Sequence, residues 1–212
     1  MISDRDVTGL VLAGGLATRM GGVDKGLQEL AGKPLAQHLI ERLSPQVESL
    51  LISANRNQER YRGFGYPVLG DADPAAALGP LAGMLAGMRA AATPYLLCAP
   101  CDLPFVPTSV LRDLLAAANA CTPPAVIAYA ASQAEDGTWR EHPVCALLAC
   151  ALADDLQDYL AQGGRKVRAW YAHHNPVEAK FADDRAFYNI NSLQALQRAQ
   201  HADEPGPRGP RA

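Results

Sequence analysis

One apolar run that passes directly into glycines constrains this chain more than any other stretch. Residues 10–30 read LVLAGGLATRMGGVDKGLQEL. The run over residues 7–12 is short and apolar and ends at glycines, the pattern of a buried strand. The loop that follows carries Gly14, Gly15, Gly21, Gly22 and Gly26, with Arg19 and Lys25 as cations and Asp24 as a carboxylate. Glycine admits positive φ and lets backbone N–H groups approach a ligand with no Cβ in the way. A row of such groups forms an anion cradle. Arg19 adds a planar fork for phosphate oxygens and Lys25 a point charge. The competing reading is a plain surface loop, because glycine punctuates loops generally. Neither common phosphate loop fits. Gly32-Lys33 is followed by Pro34 where a Walker loop needs Ser or Thr, and G-x-G-x-x-G is absent.

LAGG, then Arg19-Met20-Gly21-Gly22, Asp24-Lys25 and Gly32-Lys33-Pro34-Leu35 together resemble the signature of the Rossmann-like nucleotidyltransferases. The Arg-Met-Gly-Gly-x-Asp-Lys form is most similar to the molybdenum cofactor guanylyltransferase family. The resemblance implies an α/β Rossmann-like fold with a mostly parallel central sheet flanked by helices. It implies transfer of GMP from GTP to molybdopterin with release of pyrophosphate, assisted by Mg2+. Other readings are a cytidylyltransferase of the same cofactor, another small-molecule nucleotidyltransferase, and a nucleotide- or cofactor-binding protein without chemistry.

The 212 residues suffice for one domain with a proper core, and 49% of them are hydrophobic, which argues against general disorder. Residues 1–201 are expected to form that domain, with a nucleotide half over about 7–106 and an acceptor half over about 107–195. The proline-, glycine- and arginine-rich residues 202–212 read as a disordered tail. A net charge of −3 without a long basic run disfavours nucleic acid. The N-terminus lacks a signal-peptide pattern and no run has transmembrane length, so the expectation is a cytoplasmic protein with no membrane partner. Five cysteines is an odd count, read as reduced thiols. Cys98 and Cys101 form a C-x-x-C, but a lone pair leaves a zinc site two ligands short.

Along the chain, apolar residues at Leu35, Leu39, Ile40 and Leu43 predict a helix opened by Pro34. A strand over 47–54 then runs into Asn55. Strand–helix–strand order with short links predicts a parallel sheet, with ligands at the carboxyl ends of its strands. The glycine loop and Asn55 should therefore share a crevice. A short strand over 66–69 leads to Asp71, and Leu78-Gly79-Pro80-Leu81-Ala82-Gly83 opens a helix to about residue 92. Gly83 suits either ligand approach or close helix packing. Residues 95–99 form a strand that delivers Asp102, framed by Pro100 and Pro104. One rigidly mounted carboxylate is chemically sufficient for Mg2+, which takes phosphate oxygens and water for the rest of its shell. A helix over 108–120 capped by Thr108, a strand over 125–130, a polar loop or hairpin turn over 133–141, a strand over 144–148 entered by His142, a helix over 151–160 and a strand over 177–181 complete the pattern.

On the nucleotide side the resemblance implicates Leu12, Ala13, Gly14, Gly15, Gly22, Lys25, Asn55, Asp71 and Asp102. Arg19, Lys25 and Asp102 carry the catalytic roles, Asp102 as the metal ligand. Asn55 and Asp71 also fit simple turn roles. On the acceptor side, Arg165-Lys166-Val167-Arg168 puts three cations at a helix start, where the dipole disfavours them unless an anion binds. The resemblance assigns Arg165 and Lys166 to the molybdopterin phosphate. It assigns Asn189 and Asn191, in an aromatic-x-Asn-x-Asn segment, to the pterin, whose edge offers donors and acceptors to paired amides. Cofactor-synthesis proteins and recipient molybdoenzymes are the partners it implies.

Overall fold

The computed structural model describes residues 1–13, 24–70 and 79–190. Gly14, Gly15, Arg19, Gly22, Asp71 and Asn191 lie outside the described residues, as does the tail over 202–212. The chain opens with β1 (Val7–Leu12), every residue of which is buried. A small antiparallel pair, β2 (Glu29–Leu30) and β3 (Lys33–Pro34), leads into α1 (Leu35–Leu43) and then β4 (Ser49–Ser53). The short α2 (Gln58–Arg62) precedes β5 (Val68–Leu69), and α3 (Pro80–Ala90) precedes β6 (Tyr95–Pro100). Then come α4 (Val110–Asn119), β7 (Ile127–Gln133), β8 (Trp139–Ala149), α5 (Ala153–Ala161), α6 (Val167–Tyr171) and β9 (Val177–Phe181).

Seven strands form one sheet in the order β5-β4-β1-β6-β8-β7-β9. β5, β4, β1 and β6 run parallel, β8 is antiparallel to both its neighbours, and β7 is again parallel to β9. Every strand except β8 therefore ends at one edge of the sheet, and β8 begins there. That edge is where loops can carry function.

The sheet is buried on both faces. α1 and α4 supply Leu39, Ile40, Leu43, Val110, Leu114 and Ala118 to one core layer. α3, α5 and α6 supply Leu81, Met84, Leu156, Leu160, Trp170 and Tyr171 to the other. α1 shows why the sequence folds this way: its apolar residues recur at helical spacing on a single stripe. α3 is different, being small and apolar around most of its surface, and it lies unusually close to the sheet. A Cβ on Gly83 would stand 2.7 Å from Leu12 Cδ2 and from Ser53 Oγ, and one on Gly87 would stand 2.6 Å from Leu10 Cδ2. Close helix packing, not ligand approach, is thus what Gly83 serves.

Several boundaries differ from the sequence reading. The polar stretch over 133–141 is a hairpin turn, narrower than the span expected: it is confined to 134–138, with residue 133 ending β7 and 139–141 opening β8. The strand expected over 144–148 is an eleven-residue strand that starts at Trp139. Its pairing to β7 shifts between Tyr129↔Ala146 and Ala130↔His142, which leaves Pro143, Val144 and Cys145 outside the ladder. Proline has no N–H for a ladder, so an irregularity falls naturally there. α4 begins after Ser109 rather than Thr108, and the Ser109 hydroxyl bonds the Asp113 carboxylate at 2.8 Å. No described helix is long and apolar enough to cross a membrane.

Candidate active site

The carboxyl ends of β1, β4 and β6 are drawn together by main-chain bonds beyond the strands themselves. Ala13 N–H donates to Ser53 O at 2.8 Å, and Cys101 N–H donates to Leu12 O at 3.0 Å. Leu12 and Ala13 are buried beneath this edge. Asn55 follows β4, with its Oδ1 3.9 Å from where a Cβ on Gly70 would sit. Cys101 carries the chain into Asp102.

Asp102 meets Lys25 here. Lys25 Nζ donates to Asp102 Oδ2 at 2.8 Å, and both side chains are largely shielded. The two residues are 77 positions apart in sequence. Asp102 Oδ1 is buried and has no hydrogen-bond partner among the described residues. A buried carboxylate oxygen with a free lone pair costs energy until something occupies it. It fits a hard divalent cation. Among the described residues no three His, Cys, Asp or Glu gather into a metal cage. A single carboxylate beside phosphate-binding residues is the donor set that Mg2+ tolerates, because it keeps water and phosphate oxygens as ligands.

The segment that presents Lys25 is itself pinned. Tyr61 OH donates to Asp24 Oδ1 at 2.5 Å, and Asn57 Nδ2 donates to Asp24 Oδ2 at 2.9 Å. Asn57 reaches this position from a left-handed backbone (φ 52°) at the start of α2, a conformation Asn tolerates. Burial pushes the Tyr61 phenol far above its ordinary value, with the charge at Asp24 adding to it, so Tyr61 stays a donor. Gly26 passes under this contact: a Cβ there would collide with the Tyr61 hydroxyl and stand 3.3 Å from Cys101 Sγ. Only glycine lets the chain through. Burial also pushes the Cys101 thiol up, followed by the Asp102 charge, so Cys101 is filler rather than nucleophile. Its C-x-x-C partner Cys98 packs in the opposite core layer.

The acceptor-side residues are placed unequally. Ile190 N–H donates to Asp102 O at 2.9 Å, so the end of the described chain lies against the Asp102 loop. Ile190 packs with Leu30, Leu35 and Phe105, and Asn189 stands exposed just before it. Asn189 is thereby brought to the Asp102 neighbourhood. Arg165 and Lys166 make their contacts elsewhere, at the end of α5. The Arg165 guanidinium donates to Leu160 O at 2.9 Å and Gly164 O at 2.6 Å, closing the end of α5. Lys166 is the exposed residue before α6. Arg168 is the cation of that run that reaches the sheet edge, with Nε 2.6 Å from Glu141 Oε2. That contact is an ion pair without hydrogen-bond alignment, and Glu141 Oε2 has no hydrogen-bond partner among the described residues.

Sequence reasoning did not single out Asn57, Tyr61, Ser132, Arg168 or Asp184. Tyr61 sits in a five-residue helix with too few turns to show a period, so no pattern marks it. Asn57 is the exception, because two asparagines in Asn55-Arg56-Asn57 at a strand end are a turn signal.

Residues 9–177 match the family model described as a MobA-like NTP transferase domain. A molybdenum cofactor guanylyltransferase of Ralstonia nicotianae is 52% identical over 199 residues, covering 93% of this chain and 97% of the relative. One of Burkholderia ambifaria is 54% identical over 194 residues, covering 90% and 93%. Among solved structures, the molybdopterin-guanine dinucleotide biosynthesis protein A of Archaeoglobus fulgidus superposes with a TM-score of 0.72 at 23% identity, covering 92% of this chain and 97% of that one.

Proposed function

This chain belongs to the MobA-like NTP transferase family and is a nucleotidyltransferase, and on that premise we propose that it transfers GMP from GTP to molybdopterin, releasing pyrophosphate and forming the guanine dinucleotide cofactor. Two relatives above half identity over nearly the whole chain carry the name of that activity. The observation that carries the reading is the Lys25–Asp102 pair at the carboxyl edge of the sheet, with Asp102 Oδ1 unpartnered among the described residues.

GTP lies across the strand edge with its base toward Leu12, Ala13 and Asn55. Gly14, Gly15, Gly22, Arg19 and Asp71 are the further nucleotide contacts. Lys25 sets a positive charge against the triphosphate and orients the Asp102 carboxylate through its 2.8 Å bond. Asp102 would hold Mg2+, which when bound would supply charge stabilisation at the α-phosphate and the leaving pyrophosphate. A terminal phosphate oxygen of molybdopterin forms a bond to the α-phosphorus as the bond to the β-phosphate oxygen breaks. That phosphate is already ionised near neutral pH, so no side chain has to remove a proton. The residues act by alignment and charge. Asn189, Asn191, Arg165 and Lys166 hold the acceptor, with the nucleotide half over about 7–106 and the acceptor half over about 107–195. The reaction takes place in the cytoplasm, next to the proteins that make molybdopterin and those that receive the product.

The test is pyrophosphate release from GTP, with molybdopterin and Mg2+, compared with CTP. Release that needs all three components and favours GTP supports the reading. Release with CTP alone moves the enzyme to cytidylyl transfer, and none with either nucleotide removes the assignment.

A further inference from the structure

Four side chains outside the Lys25–Asp102 pair form a continuous chain of contacts at the same sheet edge. Arg140 Nη1 lies 2.6 Å from Asp184 Oδ2. Ser132 Oγ donates to Asp184 Oδ1 at 2.6 Å and lies 2.7 Å from His142 Nε2. Ser132 is fully buried. A hydroxyl has one proton, and here Asp184 takes it. His142 Nε2–H is therefore the donor to Ser132, and the ring is fixed in one tautomer. The ring stacks on Phe187 with centroids 4.6 Å apart and planes 15° from parallel. Phe187 in turn packs on Phe181 at the end of β9.

Three elements are joined this way: β7 through Ser132, β8 through Arg140 and His142, and the turn over 184–187 through Asp184 and Phe187. Three residues past Phe187 comes Ile190, whose N–H is bonded to Asp102 O. Between them Tyr188 and Asn189 are exposed. A segment with two exposed side chains is thus fastened at both ends, once to the acceptor half of the sheet and once to the loop of the metal-binding carboxylate. A fully buried serine that spends its hydroxyl on a turn carboxylate has no evident packing advantage over alanine, whereas it does fix where that turn lies.

We propose that Ser132, His142 and Asp184 are positioning residues, a latch that sets the segment over 187–190 so that Asn189 stands beside Asp102 and receives the acceptor. This rests on the proposed guanylyl transfer for the identity of the acceptor, while the latch itself is a statement about where the segment is held.

The experiment compares Ser132→Ala, Asp184→Ala and His142→Gln with the wild-type chain by three readouts: amide hydrogen exchange of the peptide covering 184–190, the dissociation constant for GTP by calorimetry, and KM for molybdopterin with kcat. Opening the latch should speed exchange over 184–190 in both alanine variants. It should raise the molybdopterin KM on the order of ten-fold, the factor that losing a hydrogen bond to a charged group is worth. The GTP constant should stay within about two-fold, as for independent sites. Glutamine carries an N–H near the place of Nε2, so His142→Gln should retain more of both exchange protection and affinity than the alanine variants. Unchanged exchange in both alanine variants overturns the proposal, and so does a GTP affinity that falls in step with the acceptor KM, the sign of general damage. If Ser132→Ala does not fold, Asp184→Ala, at a partly exposed side chain, decides alone. Should the wild-type chain transfer no GMP, the functional reading falls, and the exchange data still decide whether the latch exists.

Discussion

Lys25 and Asp102 form a unit whose effects on catalysis and on stability should separate. Both side chains keep some solvent contact, and a partly exposed ion pair contributes only about 0–1 kcal/mol to folding. Asp102→Asn, which removes the shielded charge as well as the pair, should therefore leave the melting temperature nearly unchanged, while Lys25→Ala, which leaves that carboxylate without its cation, should lower it. Each should lower kcat on the order of 10²–10³-fold, the loss typical of deleting one charge-stabilising group; near-wild-type turnover in either would remove that residue from the site. Tyr61→Phe should do the reverse. It deletes a buried donor to the Asp24 carboxylate, so it should cost about 1.5–3 kcal/mol in urea unfolding. A third residue sets a pH signature. Burial holds His142 below its ordinary 6.5, with Asp184 pulling it up and Arg140 pushing it down by smaller amounts. The unfolded chain then binds a proton that the folded chain refuses. Stability is full above 6.5 and is lost as pH falls from there through the folded value. Thermal melts between about pH 8 and pH 5 should show this loss in the wild type and a flatter profile in His142→Gln. Equal slopes would mean that His142 is not the titrating group.

At the level of elements, α3 shows where fold information was readable and where it was not. Its start at Gly79-Pro80 was legible, since proline suits the first turn of a helix. Its closeness to the sheet was only half legible: Gly83 offered close packing as one of two readings, and the choice depends on Leu10, Leu12 and Leu96 arriving from other strands. Gly87→Ala tests the packing: the added methyl would press on Leu10 and Leu96, both fully buried. Overpacking costs about 1–3 kcal/mol, partly offset by the better helix propensity of alanine, about 1 kcal/mol. A net loss of roughly 0–2 kcal/mol should appear as a Tm lower by up to about 8 °C, and a more stable variant would contradict the close approach. The β7–β8 hairpin was legible over 133–141 as one of two readings, a loop or a hairpin turn, but the early start of β8 was not: Trp139 and Arg140 are exposed, and apolar periodicity cannot mark strand residues that bury little. Asp136-Gly137 was the available signal, since that pair favours hairpin turns and Gly137 has φ +83°. For the site, the glycine loop, Asn55 and Asp102 announced themselves as residues leaving strand ends. The Asn57–Tyr61–Asp24 clamp and the Ser132 latch join positions far apart in sequence, and no local pattern encodes such a meeting.

For the molecule as a whole, ligand binding and folding are linked. A nucleotide that binds only the folded chain stabilises it by about 2.7 kcal/mol at a hundred-fold excess over its dissociation constant. In a chain of this length that is a rise of roughly 5–10 °C in Tm. GTP with Mg2+ should give this rise in the wild type, and Asp102→Asn should show much less of it; an equal rise in both would place nucleotide binding away from Asp102. The whole-chain architecture also carries its own reporters. Cys98 lies in the core layer covered by α3, α5 and α6, while Cys101 and Cys145 lie in the layer covered by α1 and α4, all three nearly or fully shielded. A thiol reagent can reach each one only when its helical layer lifts off the sheet. Labelling followed by mass spectrometry then works as two separate stopwatches in one polypeptide. Matched rates for Cys98 and Cys145 would mean that the sheet sheds both layers in a single event, and a faster Cys98 would mean that the α3 side lets go first.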